Sequence, residues 1–219
     1  MHLHPLHLQP SILSEAILGI RDKNRQLHRT DFKRHLKTMG GIMAYEISKS
    51  LAYTSQTVET PLGTYTGSSL CLKPVLACIL RAALPFYEGI AEIFSDSDSV
   101  FIAAYRSYTS ETEFEITQKY LAAPELHNAP VILCDTMLAS GQSMLDCYRL
   151  LVQRGAKGPF HMAAVLASQP GISYLQEQLV AENVHLWYMD CDPALNSHSY
   201  IIPGLGDAGD LAFGIKKDT

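Results

Sequence analysis

Charge is scarce in this sequence of 219 residues: Asp, Glu, Lys and Arg together make up 18%, and 17 basic residues face 22 acidic ones, for a formal net charge of -5. Such a chain has no cationic field for a phosphate polymer, which argues against nucleic acid as its main partner. Cysteine is sparse and shows no paired spacing. Cys71, Cys78, Cys134, Cys147 and Cys191 are odd in number and contain no CxxC, arguing against a disulfide framework or a four-thiolate zinc site and for a reducing cytoplasm. No apolar run reaches the roughly 18 residues of a membrane-spanning helix. Met1 to Pro10 lacks the basic-then-apolar order of a signal peptide, so neither a span nor a signal is expected. Internal repeats and low-complexity tracts are missing too.

What remains is an ordinary apolar content, 47% of the residues, in a chain of a length that favours one large domain over residues 1–219. His2, His4 and His7 cluster at the start, but Pro5 interrupts them and no Cys or acidic residue stands nearby, so they are a weak metal candidate. From Thr30, read as a cap, Phe32, Leu36, Met39, Met43, Ile47 and Leu51 follow at helical spacing, predicting one long amphipathic helix. Val58 to Thr66 flanks the turn signal Pro61-Leu62-Gly63 and predicts a short exposed hairpin. Beyond it the pattern changes. Val75 to Leu80, Val100 to Tyr105, Val131 to Cys134, His161 to Ala167 and Val184 to Met189 are short apolar runs typical of strands buried on both faces. Helix-length amphipathic stretches separate most of them, one ending near Gly155 and another following Pro170-Gly171. The alternation predicts an α/β fold with an open, mainly parallel sheet flanked by helices. Ser107 to Ala122 breaks the rhythm with alternating Glu and apolar residues and reads as a two-stranded flap or mobile loop over a site.

The chemistry gathers after the central strand. Val131 to Cys134 leads through Asp135, Thr136, Met137, Leu138, Ala139, Ser140, Gly141, Gln142 and Ser143 into an amphipathic helix. A strand, a loop of small residues and a helix start converge backbone N–H groups on one point with the positive end of the helix dipole behind them, which suits a phosphate. Ser140 and Ser143 add hydroxyl donors, and Asp135 is placed to accept from sugar hydroxyls. The single glycine and the missing lysine make a Walker-type nucleotide site a poor match.

This stretch resembles the phosphoribosyl diphosphate loop of the uracil phosphoribosyltransferase family. The resemblance is stronger at Ile79-Leu80-Arg81-Ala82 and at Tyr200 to Asp210 followed by Phe213-Gly214, and it extends to His4-Pro5-Leu6, Tyr45-Glu46, Tyr105-Arg106 and Leu195-Asn196 in the same order. It implies a phosphoribosyltransferase-like fold with a flap hairpin and an N-terminal helical and hairpin extension. It also implies transfer of a 5-phosphoribosyl group from its 1-diphosphate to uracil, giving UMP and diphosphate. Charge then builds on the leaving diphosphate and on an oxocarbenium-like ribose, so electrostatic placement outweighs covalent catalysis. The resemblance assigns diphosphate contacts to Arg81 and Arg106, whose planar forks suit phosphate oxygens, and donor contacts to Asp135 through Ser143. Uracil contacts fall to Ile201, Gly206, Asp207 and Ala208, with Asp207 also facing the donor. Arg81, Arg106 and Asp207 are thereby the implied catalytic residues. Magnesium is implied through diphosphate and water rather than by direct protein ligation, along with a homo-oligomer and, in some relatives, GTP as an effector.

Ala83, Gln142 and Ser199 stand where the family normally has glycine, Thr136 replaces a usual proline and Ser140 a usual threonine. Side chains at Ala83 and Gln142 are expected to crowd the phosphate site, with Gln142 either strained at positive φ or donating to phosphate. Two alternatives therefore stand beside the transferase: a non-catalytic sensor of a nucleotide or phosphoribosyl ligand, and a transferase of altered base preference.

Overall fold

A computed structural model of the chain describes residues 1–108, 114–180 and 182–216, and for 104–108 and 114–121 the backbone only. The chain begins with a short strand, β1 (His2–Pro5), then α1 (Ile12–Arg21) and the long α2 (Arg29–Ser48). Ser11 opens α1 with a capping box, its hydroxyl accepting from Leu13 N–H while Ser14 Oγ accepts from Ser11 N–H. The spacing from Phe32 to Ile47 does form one buried helix face, but the helix starts two residues earlier than expected. His28 is the N-cap and Thr30 lies inside the first turn, while Leu51 falls past the last turn yet is still buried.

The antiparallel hairpin β2 (Tyr53–Thr60) and β3 (Gly63–Leu70) follows, longer than the expected Val58 to Thr66. All eight residues of β2 are exposed, so no apolar alternation marks its length in the sequence. Next come β4 (Val75–Leu80), α3 (Leu84–Ile93), β5 (Ser99–Tyr108), β6 (Phe114–Ala122), β7 (Val131–Leu138), α4 (Gln142–Gln153), β8 (Phe160–Ser168), α5 (Gln169–Gln178) and β9 (Val184–Asp192). The small strands β10 (Ala194–Leu195) and β11 (Ile201–Ile202) and the short α6 (Ala208–Phe213) close the fold.

The main sheet has seven strands in the order β1-β9-β8-β7-β4-β5-β6, all parallel except β6, which pairs antiparallel with β5 at one edge. Both faces are covered, which is why its inner strands read as continuous apolar runs. Leu76, Cys78, Ile132, Cys134 and Val165 meet α1, α2, α3 and α6 on one side. Ala77, Leu133, Met162, Ala164 and Leu186 meet α4 and α5 on the other. The expected flap is a continuation of this sheet edge, β5 pairing with β6 from Phe101–Ala122 to Tyr108–Phe114; its turn, 109–113, lies outside the described residues.

The N-terminal histidines belong to the sheet. His2 is in register with His185 of β9, and His185 with His161 of β8, and the three rings stack at 4.9 and 5.1 Å. His4 lies flat on Trp187 at 3.8 Å, and its Nε2 is 3.0 Å from His185 Nδ1. Among the described residues no group of three or more His, Cys, Asp or Glu side chains is arranged to hold a metal ion.

Candidate active site

At the carboxyl ends of the parallel strands, two cavities adjoin. The smaller, of about 40 Å³, is enclosed by Asp135, Leu138, Ala139, Ser140, Gly141 and Ser143 among others. At roughly 10–15 Å³ per water-sized group it has room for the oxygens of one phosphate group. Its floor differs in one way from the sequence expectation: Asp135 through Leu138 belong to β7 rather than to a loop, because Asp135, Met137 and Leu138 continue the ladder with Ala164, Leu166 and Ala167. Only Ala139 to Gly141 is irregular. Gly141 is the N-cap of α4 at φ +82, where a Cβ would sit 3.0 Å from Gly171 O and 3.1 Å from Tyr174 Cδ1. Glycine offers no side-chain oxygen to the first-turn amides of α4, so those donors and the helix dipole are left for an anion. The helices α1, α5 and α6, in contrast, are each closed by a side chain, Ser11, Ser168 and Asp207.

The loop is braced from behind by α5. Ser168 Oγ donates to Ala139 O at 2.6 Å and accepts from Gly171 N–H at 2.9 Å. Gln142 resolves a further expectation in the negative. It is the first residue of α4, with Gly141 taking the positive φ, and its side chain turns away from the phosphate pocket. Its Nε2 donates to Asp146 Oδ1 and Oδ2 at 3.0 Å each, and its Oε1 accepts from Tyr174 OH at 2.6 Å. The side-chain amide is thus engaged by Asp146 and Tyr174. Ala83 likewise crowds nothing in the site: it caps α3, is wholly buried, and its methyl packs in the core.

Asp135 borders both cavities. Burial pushes its carboxyl up to about 7, against the pull of the Thr136 and Met137 amides that donate to Oδ1 at 2.7 and 3.5 Å. The first of these donors is one that the proline usual at position 136 would lack. The Thr136 side chain adds nothing to the pocket; it is fully buried and its hydroxyl has no partner among the described residues.

The larger cleft, of about 530 Å³, has Ala82, Asp135, Met137 and Ala139 on one wall. Facing them are the loop His198 to Ile201 and the turn Gly206 to Gly209. Asn196 shapes that loop, its Oδ1 accepting from the amides of His198 and Tyr200 at 2.9 Å and its N–H donating to Tyr200 O. Ser199 at its tip takes φ +61, a left-handed conformation that costs about 1 kcal/mol for a residue with a Cβ. Ile201, Gly206, Asp207 and Ala208 all line the cleft. Asp207 Oδ1 caps α6 by accepting from Asp210 N–H at 2.9 Å.

Arg81 stands at the carboxyl end of β4, after a cis Leu80–Arg81 peptide bond and next to Ala82 of the cleft wall, and its side chain runs to the C-terminal segment. Its Nη2 donates to Asp210 Oδ1 at 3.1 Å and to Gly214 O at 3.4 Å, and it passes close to Gly209. Being exposed, it can exchange Asp210 for a phosphate oxygen at little cost. Arg106 lies on β5 opposite Ile116; its side chain lies outside the described residues. His198 and the bracing residues Ser168 and Tyr174 escaped the sequence reading. His198 carries no motif of its own, and the bracing contacts join positions about thirty apart that no local pattern connects.

Fold and cleft together define a class: a phosphoribosyltransferase-type α/β protein, with an anion pocket at an open helix start, an acidic strand end beside it, and a backbone turn facing both. Comparison with known proteins narrows this. The family model described as uracil phosphoribosyltransferase matches residues 10–215. A uracil phosphoribosyltransferase of Porphyromonas gingivalis is 39% identical over 216 residues, covering 99% of this chain and all of that one. One from Methanothermobacter thermautotrophicus is 33% identical, covering 94% of each. A solved structure of an Aquifex aeolicus protein, 25% identical, matches with a TM-score of 0.84 over 96% of this chain and 98% of that chain. The chain belongs to the uracil phosphoribosyltransferase family.

Proposed function

We infer that this protein joins uracil to the anomeric carbon of 5-phosphoribosyl 1-diphosphate, forming UMP and releasing diphosphate, as a step of pyrimidine salvage in the cytoplasm. The observation that carries the assignment is the cleft itself, in which the phosphate loop and the glycine-rich turn 204–209 face each other across a space of about 530 Å³. The 5-phosphate sits against the first-turn amides of α4 with Ser140 and Ser143, and Asp135 accepts from a ribose hydroxyl in its ionised form. Uracil lies against Ile201 to Ala208, where main-chain carbonyl and amide groups complement its edge. Arg81, with Arg106 as a second arginine, takes the charge that grows on the diphosphate as the C–O bond at the anomeric carbon breaks and the C–N bond forms. The proton on the attacking uracil nitrogen passes in the same step to the departing diphosphate, which the broken C–O bond leaves with the electron pair.

Two carboxylates at the cleft, Asp135 and Asp207, provide hard oxygen atoms of the kind magnesium prefers. They fit an ion held mainly by diphosphate and water, Asp207 being exposed and Asp135 next to the ribose position. With such an ion bound, Asp135 and Asp207 would hold it where it would offset charge on the leaving group. The exposed hairpin β2–β3, with Tyr53, Val58, Leu62 and Tyr65 open to solvent, supports a homo-oligomer that buries it. No helix among the described residues is long and apolar enough to cross a membrane.

The departures at Ala83 and Gln142 were the ground for a non-catalytic sensor, and neither side chain enters the pocket. Incubation with uracil, phosphoribosyl diphosphate and magnesium yields UMP and diphosphate in equal amounts; binding of both substrates without product would replace the transferase by the sensor.

A further inference from the structure

The base-facing turn has little regular structure to hold it. β11 contributes two residues, Pro203 follows a cis peptide bond, and Gly204 sits at φ +63 with no space for a Cβ beside Ile201 O. The grip comes from far away in sequence. Asp192, at the carboxyl end of β9, accepts from Gly204 N–H through Oδ2 at 2.8 Å. Arg21, the last residue of α1, donates from Nη1 to Gly204 O at 3.1 Å and to Asp192 Oδ2 at 2.8 Å, and from Nη2 to Asp192 Oδ1 at 2.9 Å and Asp190 Oδ2 at 2.7 Å. Both main-chain groups of Gly204 are therefore taken by the two members of one ion pair.

That pair is enclosed: Asp192 is 6% exposed, and the Arg21 side chain 18%. An enclosed ion pair gives little net stability over an apolar replacement, so its presence is better explained by the geometry it imposes. Neither side chain borders the cleft. The planar guanidinium is the one cationic group that can meet Asp192 with both nitrogens and still reach Gly204 O and Asp190, which an ammonium cannot do.

We propose that Arg21 and Asp192 are positioning residues for the nucleobase. By fixing both the N–H and the C=O of Gly204, they set where Ile201 on one side and the main chain of Gly206 and Ala208 on the other stand in the cleft, and so determine affinity for uracil without touching it, while the Asp207 carboxylate is held separately by Asp210 N–H. The proposal rests on the reading of Ile201 to Ala208 as the base-facing turn.

The test measures KM for uracil and for phosphoribosyl diphosphate separately in Asp192→Asn, Arg21→Lys, Asp190→Asn and Gly206→Ala. In Asp192→Asn the KM for uracil rises about tenfold to a hundredfold, the range that small misplacement of a substrate produces. Arg21→Lys shifts it in the same direction, and the KM for the donor stays within about twofold in both. Asp190→Asn, which removes the partner that does not touch Gly204, leaves both KM values within about twofold. Should Asp192→Asn not accumulate as folded protein, Arg21→Lys keeps the charge and carries the test. An unchanged KM for uracil in these two variants, or an equal rise in both KM values, overturns the proposal. Gly206→Ala perturbs the turn directly, because Gly206 lines the cleft at φ +90, a conformation strained for alanine. If it raises the KM for uracil while Asp192→Asn and Arg21→Lys do not, only the clamp is wrong. If it too has no effect, the base-facing reading of the turn falls and the clamp with it.

Discussion

The two walls of the cleft are built by different means. The wall proposed to hold phosphate, the phosphate wall, is made of regular structure: β7 delivers Asp135, α4 starts after Gly141, and α5 stiffens the three irregular residues between them. The wall proposed to face the base, the base wall, is irregular chain from Asn196 to Asp207 apart from β11, given its shape by Asn196 from within and by Arg21 and Asp192 from outside. A charged ligand needs converging donors and a helix dipole, which a strand-loop-helix supplies wherever it occurs. A flat neutral base needs main-chain groups in one particular placement, and that placement depends on contacts distant in sequence. The walls should accordingly fail separately.

The largest effect is expected where the walls meet. Arg81→Ala removes a cation from the developing diphosphate charge and lowers kcat by about a hundredfold to a thousandfold, the usual loss when one charge-stabilising donor is removed; steady-state UMP formation reports it. Gly141→Ala strikes the phosphate wall alone. A left-handed alanine costs about 1–2 kcal/mol, and its Cβ meets Gly171 O and Tyr174, so the KM for the donor rises about tenfold or more while that for uracil holds.

Asp135 gives the same wall a pH signature. With its carboxyl pushed up to about 7, the ionised form proposed to accept from a ribose hydroxyl grows as pH rises, so kcat/KM for the donor is expected to rise through about pH 7 and Asp135→Asn to abolish that limb. The linked stability runs the other way. A folded carboxyl titrating above its unfolded value of 3.8 binds a proton that the unfolded chain has lost, so this contribution is complete below pH 3.8 and is lost as pH rises through about 7. A smaller shift is expected from Tyr174→Phe. Losing its hydrogen bond to Gln142 costs about 1 kcal/mol and raises the KM for the donor a fewfold, again with that for uracil unchanged.

The far end of the strands supplies a baseline with no predicted effect on either substrate. His161 is buried and held neutral, its pKa lowered to about 3 by burial and then by His185 and His4. The unfolded chain takes up the proton first, so stability is complete above pH 6.5 and declines as pH falls toward 3, which a melting series across that interval measures.

The contrast between the walls also separates what was legible in the sequence from what was not. β4, β7 and β8 announce themselves because burial on both faces forces unbroken apolar runs, and the phosphate wall follows from the order strand, small residues, helix. The residues of the base wall were visible through a family signature, but the support beneath them was not, since Arg21 and Gly204 are 183 positions apart. β1 escaped for a different reason. Its histidines stack on His185 and Trp187, and a polar edge strand of four residues has no periodicity to show. Gln142 and Ala83 show that sequence gives a residue type and not a direction: one side chain turns to Tyr174 and Asp146, the other into the core.

The account stands on the independence of the two walls, and a side-by-side measurement of both KM values in Gly141→Ala and Gly206→Ala tests it most directly. Gly141→Ala is predicted to raise only the KM for phosphoribosyl diphosphate and Gly206→Ala only the KM for uracil. A rise in the same KM for both variants, or in both KM values for each, would contradict it.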